Sequence, residues 1–182
     1  TEFIDTARSS AANTRFSWTR PFAEGISNEE GSGSDSTIKE KLNNTTNEPV
    51  AVNYIFSLSV DGGCEKYDTV TVIVYPTPVI TQIDFDTSYC NQQDVTNGIK
   101  FITPTREPSL TWRLAPLVSI GLPANGTGSI PPFRASNVGL EPIEANINVS
   151  ISVNNETCAG RDTSFSFKVL PTPRLISATD TS

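Results

Sequence analysis

The residues with the sharpest chemistry are three cysteines, Cys64, Cys90 and Cys158. An odd number of thiols in a secreted chain leaves one without a partner. Cys64 and Cys158 occupy equivalent places in two similar stretches, and the equivalent of Cys90 would fall just before Thr1. One disulfide per domain then pairs Cys90 with Cys158 and puts the partner of Cys64 outside the chain. That bridge would close a loop of 68 residues, worth roughly 4 kcal/mol in the chain-entropy picture. Free thiols remain the alternative. In a plain sandwich order the two cysteines stand at opposite ends of strands roughly 17–20 Å long, whereas bridged Cα atoms lie about 4.4–6.8 Å apart. A nucleophilic thiol is disfavoured because the chain has no histidine to act as its base. The same absence removes the commonest zinc ligand.

The other candidates are weaker. Trp18 and Trp112 read either as stacking platforms for a sugar or as core tryptophans, and their recurrence at equivalent positions favours the core. Asp84 and Asp86, and the loop residues Glu29, Glu30 and Asp35, lack the spacing of a calcium loop, which must converge six to eight oxygens. They read as solvated acidic loops. Asn43, Asn44, Asn125, Asn148 and Asn155 each head an Asn-x-Ser/Thr triplet, a pattern that matters only in a eukaryotic secretory route. No Gly-rich phosphate loop, nucleophile elbow or paired-carboxylate arrangement stands out, so the chain is expected not to be an enzyme and to need no cofactor or metal.

What must position these residues is a duplicated pattern. Glu48-Pro49-Val50, the strand to Val60, Cys64 and Tyr75-Pro76-Thr77-Pro78 recur as Glu141-Pro142-Ile143, the strand to Val153, Cys158 and Leu170-Pro171-Thr172-Pro173, with Trp18 returning as Trp112. Equivalent residues lie 93 to 95 positions apart, the mark of small domains in tandem. Within each copy the residues alternate. Val52, Tyr54, Phe56, Leu58 and Val60, then Ala145, Ile147, Val149, Ile151 and Val153, fall on one face, with Asn and Ser between them. A period of two with one polar face predicts antiparallel strands over a core. Asp61-Gly62-Gly63 and Asn154-Asn155 supply hairpin turns. Val70, Val72 and Val74, and Phe165, Phe167 and Val169, supply the returning strands. Further strands are expected at Val79–Phe85, Ile99–Thr103, Leu110–Arg113, Leu117–Ile120, near Ile4 and around Phe16–Thr19. Gly31-Ser32-Gly33-Ser34 and Gly126-Thr127-Gly128-Ser129 read as the tips of flexible turns. Ser36–Leu42 is the one stretch that reads as a helical turn or two. The fold class expected is all-β: tandem immunoglobulin-like antiparallel β-sandwiches, with a small closed barrel as the rival.

Composition narrows the partners. Lys and Arg total 13 against 20 Asp and Glu, a net charge of −7, which disfavours nucleic acid and anionic membrane surfaces. No apolar run reaches 18 residues, so no membrane insertion is expected. There is no signal-peptide pattern at the start. Met is absent even at position 1, so the chain is expected to be a processed or excised piece. The prolines of Pro-Thr-Pro fix φ and restrain their neighbours, making a short stiff joint. The expected domains are 1–77, lacking its first strand; 78–173, complete; and 174–182, the start of a following repeat or linker.

Leu42-Asn43-Asn44-Thr45-Thr46, Pro49-Val50, Cys64 and the run Val70 to Pro78 resemble the PKD-like repeats of giant surface proteins. So do Gly128-Ser129-Ile130-Pro131, Phe133 to Asn137, Cys158-Ala159-Gly160 and Val169 to Pro173. Such repeats occur in Bacteroidetes-type bacteria, notably in gliding-motility adhesins. The resemblance implies export by the type 9 route and a place on the cell surface, in a filament whose modules act as spacers. It brings no catalytic residues. The partners it implies are neighbouring repeats of the same polypeptide, surface polysaccharide, or the secretion and motility machinery. It also implies O-glycosylation of Asp-Ser/Thr triplets at Thr6, Ser36 and Thr69. A carbohydrate-binding or accessory module of a secreted enzyme is the alternative reading.

Overall fold

The structure is a computed structural model in which residues 2–155 and 157–175 are described. The chain divides into two compact units, Thr1–Thr77 and Pro78–Ser182. The described residues are all-β, without a helix, and most of the strands lie in antiparallel sheets. Of the tail 174–182, only Arg174 and Leu175 are described, so the expected start of a further repeat lies outside the described residues.

The first unit contains β1 (Glu2–Thr6), β2 (Arg15–Arg20), β3 (Gly31–Gly33), β4 (Thr37–Lys41), β5 (Val50–Val60) and β6 (Cys64–Val74). Four of them form an antiparallel sheet in the order β3-β2-β5-β6, while β1 pairs with β4. Val52, Tyr54 and Phe56 of β5 bury their side chains with Trp18 and Ile38, and Phe3 packs against this cluster. The alternation in the sequence therefore faces as expected. Ser36–Leu42 does not form a helical turn; its centre is β4, where Ile38 enters the core and the backbone pairs with β1. A β-branched residue with polar neighbours on both sides suits a half-buried strand, and the cross-strand partner decides the matter.

The second unit continues with β7 (Gln82–Asp84), β8 (Ser88–Cys90), β9 (Asp94–Val95), β10 (Lys100–Ile102), β11 (Ser109–Leu114), β12 (Asn125–Thr127), β13 (Phe133–Arg134), β14 (Ile143–Val153), β15 (Cys158–Ala159) and β16 (Thr163–Leu170). Its main sheet runs β12-β11-β14-β16-β8, with β15 also on β14. The short pairs β7–β10 and β9–β13 contribute Phe101, Val95 and Phe133 to the other side of the core. The order β12-β11-β14-β16 matches β3-β2-β5-β6 of the first unit strand for strand. Asn154 and Asn155 turn the hairpin with φ of 54° and 50°, as Gly62 and Gly63 do with 105° and 102°. Leu117–Ile120, expected as a strand, is irregular: Pro116 precedes it and only Ile120 is buried.

The glycine runs read as flexible tips have another role. Gly33 lies opposite Trp18 on β2, and Gly126 lies opposite Trp112 on β11. A Cβ on Gly33 would come within 2.5 Å of the Trp18 Nε1, and one on Gly126 within 2.5 Å of the Trp112 Cζ2. Each indole lies flat across a strand that has no side chain at that point, so these glycines are required by close approach rather than by turn geometry. Gly126→Val is expected to cost about 1–3 kcal/mol through overpacking. A denaturant titration followed by the Trp112 fluorescence measures that loss.

Candidate functional site

Three features of the two units carry polar chemistry into or onto the sheets. The first is a pair of asparagines. Asn44 donates from Nδ2 to the carbonyls of Glu48 and Val74, both at 2.7 Å, and its Oδ1 accepts from the Thr46 amide at 2.8 Å. Asn137 donates to the carbonyls of Glu141 and Val169, both at 2.8 Å, and accepts from the Gly139 amide at 2.9 Å. Each amide pins the loop leading into a long strand (β5 or β14) to the end of its hairpin partner. Asn44 heads one of the glycosylation triplets, but it is buried and fully bonded, a structural pin rather than a surface acceptor. The signal for it in the sequence is the repeat itself, because Asn137 stands one period further along the chain.

The second feature exists in the first unit alone. Arg20, 2 % exposed, donates from Nε to Glu40 Oε2 at 2.8 Å and from Nη2 to Glu40 Oε1 at 3.3 Å. Its Nη2 also donates to the carbonyl of Glu29. The Tyr54 hydroxyl donates to the same carboxylate at 2.7 Å. Burial pushes the Glu40 carboxyl up, but hydrogen bonds from Arg20 and Tyr54 and the guanidinium charge outweigh it, so the net shift is downward. Arg20 rises above its ordinary value through its bond to Glu40, and burial raises the Tyr54 phenol. In the second unit the same places relative to the tryptophan and its strand partner hold Leu114 and Ile147, both buried.

The third feature is an open groove of about 790 Å³ on the outer face of the second unit's main sheet. Thr111 and Arg113 of β11, Asn148 and Ser150 of β14, and Asp162 and Ser164 beside them line it. It sits where the return strand breaks between β15 and β16: the Gly160 amide still donates to the Ile151 carbonyl at 2.7 Å, but Arg161 and Asp162 lie outside the ladder. In the first unit β6 pairs with β5 without interruption over the same stretch. Hydroxyls and amides of this kind can hydrogen-bond a polyhydroxylated ligand; Trp112 also borders the groove, at 3 % exposure. Trp112 and Trp18 both lie in the cores, and among the described residues neither indole N–H has a partner.

The cysteines do not come together. Cys64, Cys90 and Cys158 are all free thiols, and the expected Cys90–Cys158 bridge is not formed. Cys90 pairs beside Leu170 at the end of β16, whereas Cys158 pairs with Val153 ahead of its start. The eight residues of β16 separate them along the strand by about 3.3 Å per residue, far beyond disulfide reach. Cys64 begins β6 with an exposed thiol.

Thr6 and Ser36 are brought close: the Ala7 amide donates to the Ser36 carbonyl at 2.9 Å, and the Thr6 and Thr37 hydroxyls lie 3.3 Å apart. Thr69 is exposed on β6, away from them. The side-chain oxygen of each preceding aspartate accepts a nearby backbone amide: Asp5 from Thr6, Asp35 from Thr37, and Asp68 from Thr69. Glu29, Glu30, Asp35, Asp84 and Asp86 do not converge. Among the described residues no three His, Cys, Asp or Glu gather as a metal site. No helix among them is long and apolar enough to cross a membrane. No family model matches the chain, and no curated protein matches it.

Proposed function

We propose that this chain is a non-catalytic segment of a secreted bacterial surface adhesin, built from tandem immunoglobulin-like units of the PKD-like kind. The units act as spacers that hold a binding region away from the cell. The observation that carries this reading is the matched pair of frames, in which one strand order is fastened twice by the same tryptophan–glycine crossing and the same asparagine pin. Copying a frame while its buried polar chemistry drifts from Arg20 and Tyr54 to Leu114 and Ile147 fits selection on shape rather than on a reaction. The partners on this reading are neighbouring units of the same polypeptide, surface polysaccharide, or the motility and secretion machinery. Thr6, Ser36 and Thr69 are the proposed glycan acceptors, and the proposed place is the outer cell surface. The joint Pro76-Thr77-Pro78 is the part a spacer depends on, so the test is whether the distance between labels on Cys64 and Cys90 is narrowly distributed.

The groove of the second unit favours a second reading, a carbohydrate-binding or accessory module. A glycan array probed with the chain and with Arg113→Ala tests it. Glycan binding lost in the folded variant supports that reading.

A further inference from the structure

The groove on the second unit's outer face is built around a β-bulge. Gly160 bonds to Ile151, and the ladder resumes where Thr163 pairs with Val149. Between those points Arg161 and Asp162 together oppose the single residue Ser150. Such an extra residue bends its strand and re-aims a side chain, and bulges recur beside functional sites. Here it brings Asp162 to the wall of the groove. The strand's path is fixed from the core side as well. Pro78 is buried, and a Cβ on Gly160 would clash with its carbonyl oxygen. Backbone therefore packs on backbone just ahead of the bulge, which only glycine permits.

Pairing fixes which side chains share the groove floor. Arg113, Asn148 and Ser164 are cross-strand neighbours in one row, and Thr111 and Ser150 in the next. Arg113 and Asp162 stand two strands apart, a separation of roughly 10 Å across the sheet. Among the described residues none of these six side chains has a hydrogen bond or ion pair within the protein. The first unit is different at the same places. Its first row is Thr19, Ile55 and Thr69, and Ser57 pairs one-to-one with Tyr67. Neither the extra residue nor the two charges occur there.

We infer that this groove is a site for an uncharged oligosaccharide, selected by hydrogen bonds to Asp162 and Arg113 at its two sides. Ser and Thr hydroxyls and the Asn amide both donate and accept, as sugar hydroxyls do. The Asp162 carboxylate only accepts and the Arg113 guanidinium only donates. Between them they fix which way the ligand's hydroxyls point, through the stronger charge-assisted kind of bond. The two charges balance within the groove, while the chain carries −7 overall. A uronate or sulfated polymer is therefore repelled on approach and meets a carboxylate in the site. Trp112 borders the groove at 3 % exposure, so hydrogen bonds rather than ring stacking hold the ligand. The inference rests on the carbohydrate-module reading and deepens it, naming the ligand class and Asp162 as the residue that selects it.

The test titrates the full chain with neutral gluco-, manno- and galacto-oligosaccharides and, separately, with oligogalacturonate, following the amide NMR signals of Asn148, Ser150 and Ser164. A neutral oligosaccharide is expected to shift these signals saturably, with an affinity unchanged by added salt, since screening acts on charged partners. Oligogalacturonate should leave them in place. Asp162→Ala should weaken binding by about tenfold or more, as for the loss of one hydrogen bond to a charged group. Asp162→Asn, which keeps an accepting oxygen, should recover part of that loss. Asp162 is exposed, and an unchanged unfolding midpoint shows that the variants fold. Binding of oligogalacturonate alone overturns the inference and leaves the carbohydrate-module reading standing. So does neutral binding that Asp162→Ala leaves at the parent affinity. No shift with any of these sugars overturns both.

Discussion

Replacing Asn137 with alanine is expected to destabilise the second unit by about 3 kcal/mol, because two carbonyls and an amide lose their partner together, the Val169 carbonyl in a fully buried bond and the other two in part-buried ones. The carbonyls are those of Glu141 and Val169, and the amide is that of Gly139. Asn137 itself is 1 % exposed, so water does not readily take its place. For a domain of this size such a loss lowers the unfolding midpoint by roughly 15 °C. Asp fares no better. Its carboxylate offers no donor to the two carbonyls and would set oxygen against oxygen. Val138→Ser and Leu140→Ser, two changes at exposed residues of the same loop, should stay close to the parent. The measurement is unfolding followed by Trp112 in a Trp18→Phe background, and Asn137→Ala within about 0.5 kcal/mol of the parent, the usual range for surface changes, would contradict the pin.

Arg20→Leu is the second large effect, confined to the first unit. Removing one member of a buried charge pair leaves the other uncompensated, at about 3–5 kcal/mol. The Glu40 side chain retains 18 % exposure, which places the expected loss near the lower end. Arg20→Leu/Glu40→Leu/Tyr54→Phe removes every polar member while keeping the ring of Tyr54 against Phe3 and Trp18. It should recover most of the loss, because well-packed apolar groups often replace a buried ion pair at no cost. The second unit already uses Leu114 and Ile147 there. A triple variant as unstable as Arg20→Leu would contradict this.

The cluster also sets a pH dependence. The folded Glu40 carboxyl is held below its ordinary value, so its contribution is present above the carboxylate range and is lost as pH falls through that lowered value. Glu40→Gln should therefore flatten the acid side of the first unit's stability curve and leave the second unit's curve unchanged.

Much of the frame was legible because it rests on local rules. Alternation placed Val52 to Leu58 and Ala145 to Val153 on the core face, while Val60 at the end of β5 packs into no core, and Gly62-Gly63 and Asn154-Asn155 supply the positive φ that a tight hairpin needs. What escaped depends on partners distant in sequence. Ser36–Leu42 carries a charge pattern compatible with a helical turn, and only its pairing with Glu2–Thr6 makes it a strand. Gly33 and Gly126 look like turn residues until the indole across the sheet is seen. Asn44 sits inside a triplet with a simpler surface meaning. The failed Cys90–Cys158 bridge is the converse case: strand length already placed the two thiols at opposite ends, and Cys90 lies beside Leu170 rather than folding back toward the hairpin. The parallel strand β8 left no clear signal, since three residues are too few to show a period.

The most direct measurement is the distance distribution between spin labels on Cys64 and Cys90, one in each unit, with Cys158→Ser to leave two sites. A spacer joined by Pro76-Thr77-Pro78 predicts a single narrow distribution, broadened when Gly-Gly-Ser is inserted after Thr77. A distribution already broad in the parent chain, and unchanged by the insertion, would contradict the spacer role.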